Sequence, residues 1–455
     1  MAPFGQREGE RFMSCLVGLV SLGCAKNLVD SEIMLGLLKE AGFEITNSEE
    51  EAEVLIVNTC SFIEPAQEES IKNILELSRY KKSGACRVLL VCGCMPQRYG
   101  RLLLEEFPEV DGFFGTGSVP HVAGLVQRAL DGERFCEITG PQYELTSSLP
   151  RLRITPPHTA YLKIAEGCSN RCAYCIIPAI RGHYRSRTIE SIEEEARLLA
   201  TQGVKEIILI AQDTSSYGID LYGKYRLAEL LGRLANIPDL FWLRLMYCSV
   251  DHFTRELIEV LAGEPKVCRY LDIPIQHASD EILLRMNRRQ SVSEVKKLIL
   301  KLRAAIPGLA LRTTFMVGFP GESERNFEEL IGFMKDMSFE RAGVFKFYPE
   351  EGTLAILMAG QVPEEIKEER YHRAMALQQQ ISLQYNQSLV GGKITVLVDG
   401  KDKTSNLYFG RSEADSPEVD GKVYFTAGSP GPKAGDFVKV MVTRGLEYDI
   451  LGKLV

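Results

Sequence analysis

No apolar run in this 455-residue chain approaches the roughly 18 residues that a membrane helix needs. The N-terminal MAPFGQREGERFM has neither an apolar h-region nor a cleavage-site pattern. Neither a membrane span nor an export signal is expected, and the chain reads as soluble and cytoplasmic. A basic excess is also missing: 53 Lys plus Arg against 61 Asp plus Glu leave a net charge of -8. That balance argues against a chain-wide surface built to neutralise a phosphate backbone, although a local basic patch stays open. No repeat or low-complexity tract is present. With 45% hydrophobic and 25% charged residues, the composition excludes disorder, collagen and a disulfide-stapled miniprotein. At about 150 residues per domain, the length allows roughly three domains.

Cysteine, by contrast, is plentiful. Twelve are present in a chain without an export signal, and in a reducing compartment clustered thiols bind metal or do chemistry more often than they pair.

Three blocks emerge from the punctuation of the chain. In residues 1–150, β-branched runs at 15–22, 54–58, 88–92 and 110–114 alternate with helical patterns at 30–40, 68–78 and 119–130. That alternation predicts a parallel, helix-covered sheet. The stretch SSLPRLRITPPH, 147–158, carries three prolines and no period, and marks a domain edge. Within 151–385, strands are expected at 160–165, 206–211, 241–247, 270–275, 309–317 and 341–347. Six βα units are too few to close an eight-unit barrel, so a partial barrel of the (βα)6 kind is expected. A helix at 363–387 then leads into 386–455, where short strands at 393–399, 407–411, 422–426, 437–444 and 448–455 imply a small antiparallel β-barrel. The fold class is therefore α/β with a β-barrel appended.

Directly after the first barrel strand comes EGCSNRCAYC, in which Cys168, Cys172 and Cys175 form a C-x3-C-x2-C triplet. A structural zinc site wants four protein ligands, and only His183 stands near as a fourth. Three thiolates on a four-iron cluster leave one iron open for a small molecule, which suits catalysis better than scaffolding. Parallel-sheet ligands lie beyond the carboxyl ends of strands, which nominates the loops holding Gln212–Thr214, Tyr247–Ser249, Gln276–His277 and VGFPGE with Gly318 and Gly321. The glycine loop is equally readable as a tight turn capping a helix. Arg244 stands in an otherwise apolar strand, WLRLMY, where its charge needs a partner: a ligand carboxylate or hydroxyl, or solvent at an edge.

A second trio is dispersed. Cys24, Cys60 and Cys94 each come after a strand end in VSLGC, LIVNTC and VLLVCGC, separated by 36 and 34 residues, about one βαβ unit. Successive parallel strands would deliver them to one sheet edge, where they can hold one cluster. Ordinary buried cysteines are the competing explanation. Cys92 lies on its strand and is the weakest candidate.

The triplet, with Tyr174 before its third cysteine, resembles the signature of the radical S-adenosylmethionine enzymes. That resemblance implies a [4Fe-4S] cluster on Cys168, Cys172 and Cys175 as the catalytic centre. It also implies S-adenosyl-L-methionine at the open iron, with Tyr174, Gln212, Arg244, Gly318 and Gly321 as candidate cofactor contacts. One electron then opens the sulfonium to a 5′-deoxyadenosyl radical, which removes hydrogen from a carbon that a base of pKa near 7 cannot deprotonate. LGCAKN, NTC and GC around the second trio are similar to the N-terminal domain of the methylthiotransferases, which implies a second, auxiliary [4Fe-4S] cluster. The resemblance covers nearly the whole chain and extends to a C-terminal barrel of the type called TRAM.

SLGCAKNLVDSE, IPIQHAS, AQDTSSYG and YPEEGT resemble the RimO-type branch, which modifies the β-carbon of an aspartate in protein twelve of the small ribosomal subunit, and depart from the YGCQMN and VQSGS wording of the tRNA-modifying branch. The resemblance further implies a second S-adenosylmethionine as methyl donor, two open irons facing one cavity, and an external flavodoxin or ferredoxin as electron donor.

Residues 386–455 carry nine Lys plus Arg and nine Asp plus Glu. This neutral barrel does not read as an RNA grip, and direct RNA contact is not expected to dominate. Tyr408, Phe409, Tyr424 and Phe425 serve equally as core, and the acidic run Glu413, Asp415, Glu418, Asp420 as a solvated loop or a steering patch for a basic protein. An aspartyl methylthiotransferase, a tRNA-adenosine methylthiotransferase and a non-catalytic RNA-binding metalloprotein are the three readings to separate.

Overall fold

Every residue of VLIVNT and VLLVCG is buried, which is what interior strands covered on both faces require. They form β3 (Val54–Thr59) and β4 (Val88–Gly93) in a six-stranded parallel sheet with β1 (Leu16–Ser21), β2 (Glu44–Ile45), β5 (Gly112–Gly115) and β6 (Phe135–Glu137). The order is β2-β1-β3-β4-β5-β6, so the chain reverses its direction of winding between β1 and β3. In such sheets that point opens a crevice beyond the carboxyl ends of the strands. Helices Ala25–Glu40, Glu64–Ser78 and Val122–Leu130 connect the strands. The edge strands β2 and β6 have two and three residues, too few to leave a period in the sequence.

The computed structural model describes residues 15–141, 143 and 145–455, so MAPFGQREGERFM, the stretch expected to hold no export signal, lies outside the described residues. The chain divides into two units. One comprises the residues up to Ile154 together with Ala179–Gly182; the other comprises Thr155–Pro178 and His183–Val455. Among the described residues no helix is long and apolar enough to cross a membrane.

The second unit begins with β7 (Thr159–Lys163) and a two-stranded antiparallel pair, β8 (Ala165–Glu166) and β9 (Arg185–Ser186). It continues through β10 (Glu206–Ile210), β11 (Trp242–Leu245), β12 (Val267–Asp272), β13 (Ala310–Val317) and β14 (Arg341–Lys346). These lie in the order β14-β13-β12-β11-β10-β7, six parallel strands in one open sheet. Helices such as Ile189–Thr201, Leu227–Ala235, Val292–Ala305 and Glu324–Met337 turn apolar faces to it, burying Ile192, Leu231, Ile299 and Phe327. Helix Glu364–Ser388 leads to β15 (Lys393–Lys401), β16 (Tyr408–Ser412), β17 (Val423–Thr426), β18 (Phe437–Gly445) and β19 (Ile450–Leu454). These close in the order β15-β16-β17-β19-β18, antiparallel except for the parallel pair β17–β19. Val396, Val398, Val423, Phe425, Val440 and Ile450 fill the interior.

The barrel and the six-stranded sheet share a buried polar seam. Glu206, the first residue of β10, has no exposed side-chain surface and receives Arg244 Nε at 2.9 Å and Arg411 Nη1 at 2.6 Å. Arg411 continues to Asp399 at 2.9 Å, and Asp399 pairs with His158 at 2.9 Å. Arg341, the first residue of β14, reaches Asp415 at 2.7 Å, and Tyr270 donates to Asp420 at 2.7 Å. Two members of the expected acidic surface run therefore point inward. Asp415 is 1% exposed, because the arginines at the foot of the sheet need buried counter-charges.

Candidate active site

Gly167, at φ +78°, turns the chain out of β8 into the triplet. The Cys175 amide donates to the Cys172 carbonyl, and Ala173 is tied on both sides, donating to Met286 O and accepting from the Ala355 amide. Burial, with Asp213 and Cys172 nearby, pushes the Cys168 thiol up to about 11. Burial and the neighbouring Cys172 and Cys168 push Cys175 up to about 12. The three sulfurs thus feel one another across a loop that no cross-link holds together. Tyr174 and Arg288 both lie close enough to Cys172 to interact with it electrostatically.

Cys168 and Cys172 open onto a cavity of about 500 Å³, within the range of small-molecule sites. Its walls include Asn170, Asp213, Tyr225, Asp251, His252 and Arg288. Asp213 organises one side, accepting from Ser216 N at 3.3 Å, Ser216 Oγ at 2.7 Å and Asn170 Nδ2 at 3.3 Å. Tyr225 and His252 stack with centroids 4.7 Å apart. The Nε of Arg288 is buried without a hydrogen-bond partner.

The companions named from the sequence are distributed differently. Gln212 does not line the cavity; it donates to Glu166 Oε1 at 2.7 Å, while its own Oε1 is buried and unpartnered. Gly318 and Gly321 also stand away from the cavity walls. The Gly318 amide donates to Glu322 Oε2 at 2.8 Å, and Ser323 caps helix Glu324–Met337 with a reciprocal bond to Asn326, so VGFPGE is a tight helix-capping turn. Its Phe319 meets Tyr174 edge-on at 6.5 Å, which places the turn behind the triplet. Arg244 stands apart from the cavity walls. It is fully buried, bound to Glu206 and to the carbonyls of Ser412 and Glu413, so the partner its charge demands is the barrel seam, not a ligand. Asp213 belongs to the nominated loop 212–214 and does line the cavity. Arg288, in an arginine pair after a short helix, leaves no signal.

In the first unit, β1, β3 and β4 end at Ser21, Thr59 and Gly93, and Cys24, Cys60 and Cys94 follow them. Cys24 takes the position before helix Ala25–Glu40. Gly23, at φ +85°, lets the backbone pass Cys60 closely: a Cβ there would lie 2.7 Å from Cys60 Cβ. Local desolvation raises the Cys24 thiol, but Lys26, Arg181 and the amides of Asn27 and Lys26 outweigh it and bring the thiol below its ordinary value. Burial and then Cys94 and Cys24 push Cys60 up to about 12. Burial raises Cys94 despite Arg181. Cys92 faces the core, its sulfur 3.9 Å from Met34 Sδ. Arg181 is the residue the sequence did not announce. Its guanidinium donates to Asp30 Oδ2 at 2.6 Å, to Asn27 Oδ1, and to Cys94 Sγ at 3.6 Å.

Both trios suit an iron–sulfur cluster by donor chemistry: three thiols each, with an arginine against one sulfur to offset thiolate charge. Among the described residues no three His, Cys, Asp or Glu side chains converge on a single-ion site. Converging ligands are what a lone zinc needs, whereas a cubane spreads its thiolates over separate irons.

The Uncharacterized protein family UPF0004 matches residues 17–115, the Radical SAM superfamily residues 162–334 and the TRAM domain residues 390–455. The ribosomal protein uS12 methylthiotransferase RimO of Heliobacterium modesticaldum is 52% identical, over 98% of this chain and 96% of its own. That of Pelotomaculum thermopropionicum is 56% identical, over 97% and 100%. Among solved structures, the radical S-adenosylmethionine methyltransferase TsrM of Kitasatospora setae shares the fold at 17% identity and TM-score 0.53, covering 73% of each chain. The cobalamin-dependent S-adenosylmethionine radical enzyme OxsB does so at 12% identity and TM-score 0.52, covering 81% of this chain and 56% of that one. The chain belongs to the RimO family of ribosomal protein uS12 methylthiotransferases, within the radical SAM superfamily.

Proposed function

We propose that this chain methylthiolates the β-carbon of one aspartate of ribosomal protein uS12, replacing a C–H bond by C–S–CH3. The observation that carries the proposal is the near full-length identity of about half to relatives named for that activity, in a chain that presents two separate cysteine trios. Cys168, Cys172 and Cys175 would hold one [4Fe-4S] cluster, and Cys24, Cys60 and Cys94 a second. When bound, the first supplies an electron for cleaving S-adenosylmethionine to a hydrogen-abstracting radical and the second supplies sulfur, while another S-adenosylmethionine provides the methyl group.

The chain's own residues bind and position. Tyr174 and Arg288 stand beside Cys172, and the cavity walled by Asp213, Tyr225, His252 and Arg288 is where S-adenosylmethionine would sit. The Arg288 guanidinium on the cavity wall offers a charged partner to its carboxylate, and Asp213 and Asp251 offer acceptors to ammonium and ribose hydroxyls. Burial keeps Cys168 and Cys175 protonated in the metal-free protein, so loading releases protons. A low-potential flavodoxin or ferredoxin is the electron source this chemistry requires.

The tRNA reading is not favoured. Its expected basic barrel is absent, since the barrel is neutral and part of its acidic run is committed to the seam. The test is anaerobic turnover of the reconstituted enzyme with uS12 and bulk tRNA together. Mass spectrometry should find one methylthio group on a uS12 aspartate; methylthioadenosine in tRNA with unchanged uS12 would reject the proposal.

A further inference from the structure

The auxiliary trio has a neighbour that its own strands do not supply. Arg181 ends helix Ile177–Arg181 and comes six positions after Cys175 in the chain, yet the segment Ala179–Gly182 that contains it belongs to the first unit. Its guanidinium is held from two sides. Asp30 Oδ2 accepts at 2.6 Å, with both side chains 3% exposed, and Asn27 Oδ1 accepts as well. Asn27 is itself fixed, donating to Leu22 O and Thr59 O at 3.0 Å, and Tyr143 donates to Asp30 Oδ1 at 2.9 Å. The same anchored fork also reaches Cys94 Sγ at 3.6 Å.

We propose that Arg181 is a positioning residue for the auxiliary site: anchored on Asp30 and Asn27, it holds the Cys94 sulfur and raises the reduction potential of the cluster that Cys24, Cys60 and Cys94 bind. The inference rests on the reading of that trio as a cluster site. An arginine stays charged at any working pH, so the effect is a fixed field, not a switch. Reducing a thiolate-bound cluster adds negative charge, and hydrogen bonds and positive charge at its sulfurs stabilise the reduced form. Asp30 does two opposed things. It aims the guanidinium, and its own charge partly cancels the field. A purely structural ion pair would tie chain segments together without moving a potential, and the two partners would be interchangeable in their effects. The arrangement around Cys94 makes them opposite in sign.

The experiment uses the full chain with Cys168, Cys172 and Cys175 replaced by Ala, leaving the auxiliary cluster alone for an EPR-monitored redox titration. In that background Arg181→Gln is expected to shift the midpoint to more negative potential and Asp30→Asn to more positive potential, with Arg181→Lys between wild type and Arg181→Gln. Unchanged midpoints in variants that retain the cluster overturn the inference while leaving the cluster reading intact. A parent protein that binds no four-iron cluster overturns the cluster reading, and the inference with it. If Arg181→Gln cannot be loaded, Asp30→Asn and Arg181→Lys decide: a positive shift in the first and a negative shift in the second sustain the proposal, and any other pair of results ends it.

Discussion

The cysteines separate by what surrounds each sulfur. Cys92 is one strand position from Gly93 and two from Cys94, yet it points into the core against Met34, whereas Cys94 lies past the strand end beside Asn27 and Arg181. Cys92→Ala should therefore leave iron content unchanged, while Cys94→Ala should lose one cluster; equal losses by iron assay would contradict the assignment. Arg244 shows where residue-level reading fails. The demand for a partner in an apolar strand is legible, but its identity is not, because Glu206 and the barrel carbonyls of residues 412 and 413 come from distant parts of the chain. Removing one member of a buried ion pair costs about 3–5 kcal/mol. Arg244→Ala should destabilise the protein on that scale in denaturant titrations and leave S-adenosylmethionine affinity within about twofold of wild type, under 0.5 kcal/mol. A large affinity loss at unchanged stability would restore the ligand role.

The candidate ligands lie past strand ends, not within strands. The strand runs are readable to within a few residues because apolar β-branched stretches broken by Gly, Asn and Asp have few other uses, and the cysteine spacing reflects the strand spacing. What the loops do is less readable. VGFPGE reads as a cofactor loop and a helix-capping turn equally, and the geometry shows the turn, with Phe319 against Tyr174. A Cβ on Gly318, at φ +75°, would lie 2.3 Å from Lys367 Cγ, so Gly318→Ala should cost about 1–3 kcal/mol in thermal or chemical unfolding from backbone strain. An unchanged unfolding midpoint would show that the turn is not under that constraint. At the seam, burial works to raise the Glu206 carboxyl, but Arg411 and Arg244 outweigh it and its value falls below the ordinary one. A lowered folded-state value means stability fully present above the unfolded value of about 4.3 and lost as pH falls through the folded one. Acid denaturation of Glu206→Gln should lack that component. Asp420 works in the other direction, since burial leaves its carboxyl raised despite Arg312. A Glu206→Gln protein with the wild-type acid profile would remove this carboxylate from the account.

On the scale of the whole molecule, composition bounds little beyond a globular chain, while the order of blocks, two cysteine trios and a small barrel bound a great deal. The barrel's net charge is legible in the sequence, but not that Asp415 and Asp420 are buried counter-charges to Arg341 and Arg312, since burial is a property of the assembled seam. The central claim is that one chain carries two cluster sites of three thiolates each. Iron and acid-labile sulfide, determined after anaerobic reconstitution, test it directly. About eight irons per chain are expected, with roughly half lost when Cys24, Cys60 and Cys94 are replaced and half when Cys168, Cys172 and Cys175 are replaced. About four irons in the wild-type chain, unaffected by loss of either trio alone, would contradict it.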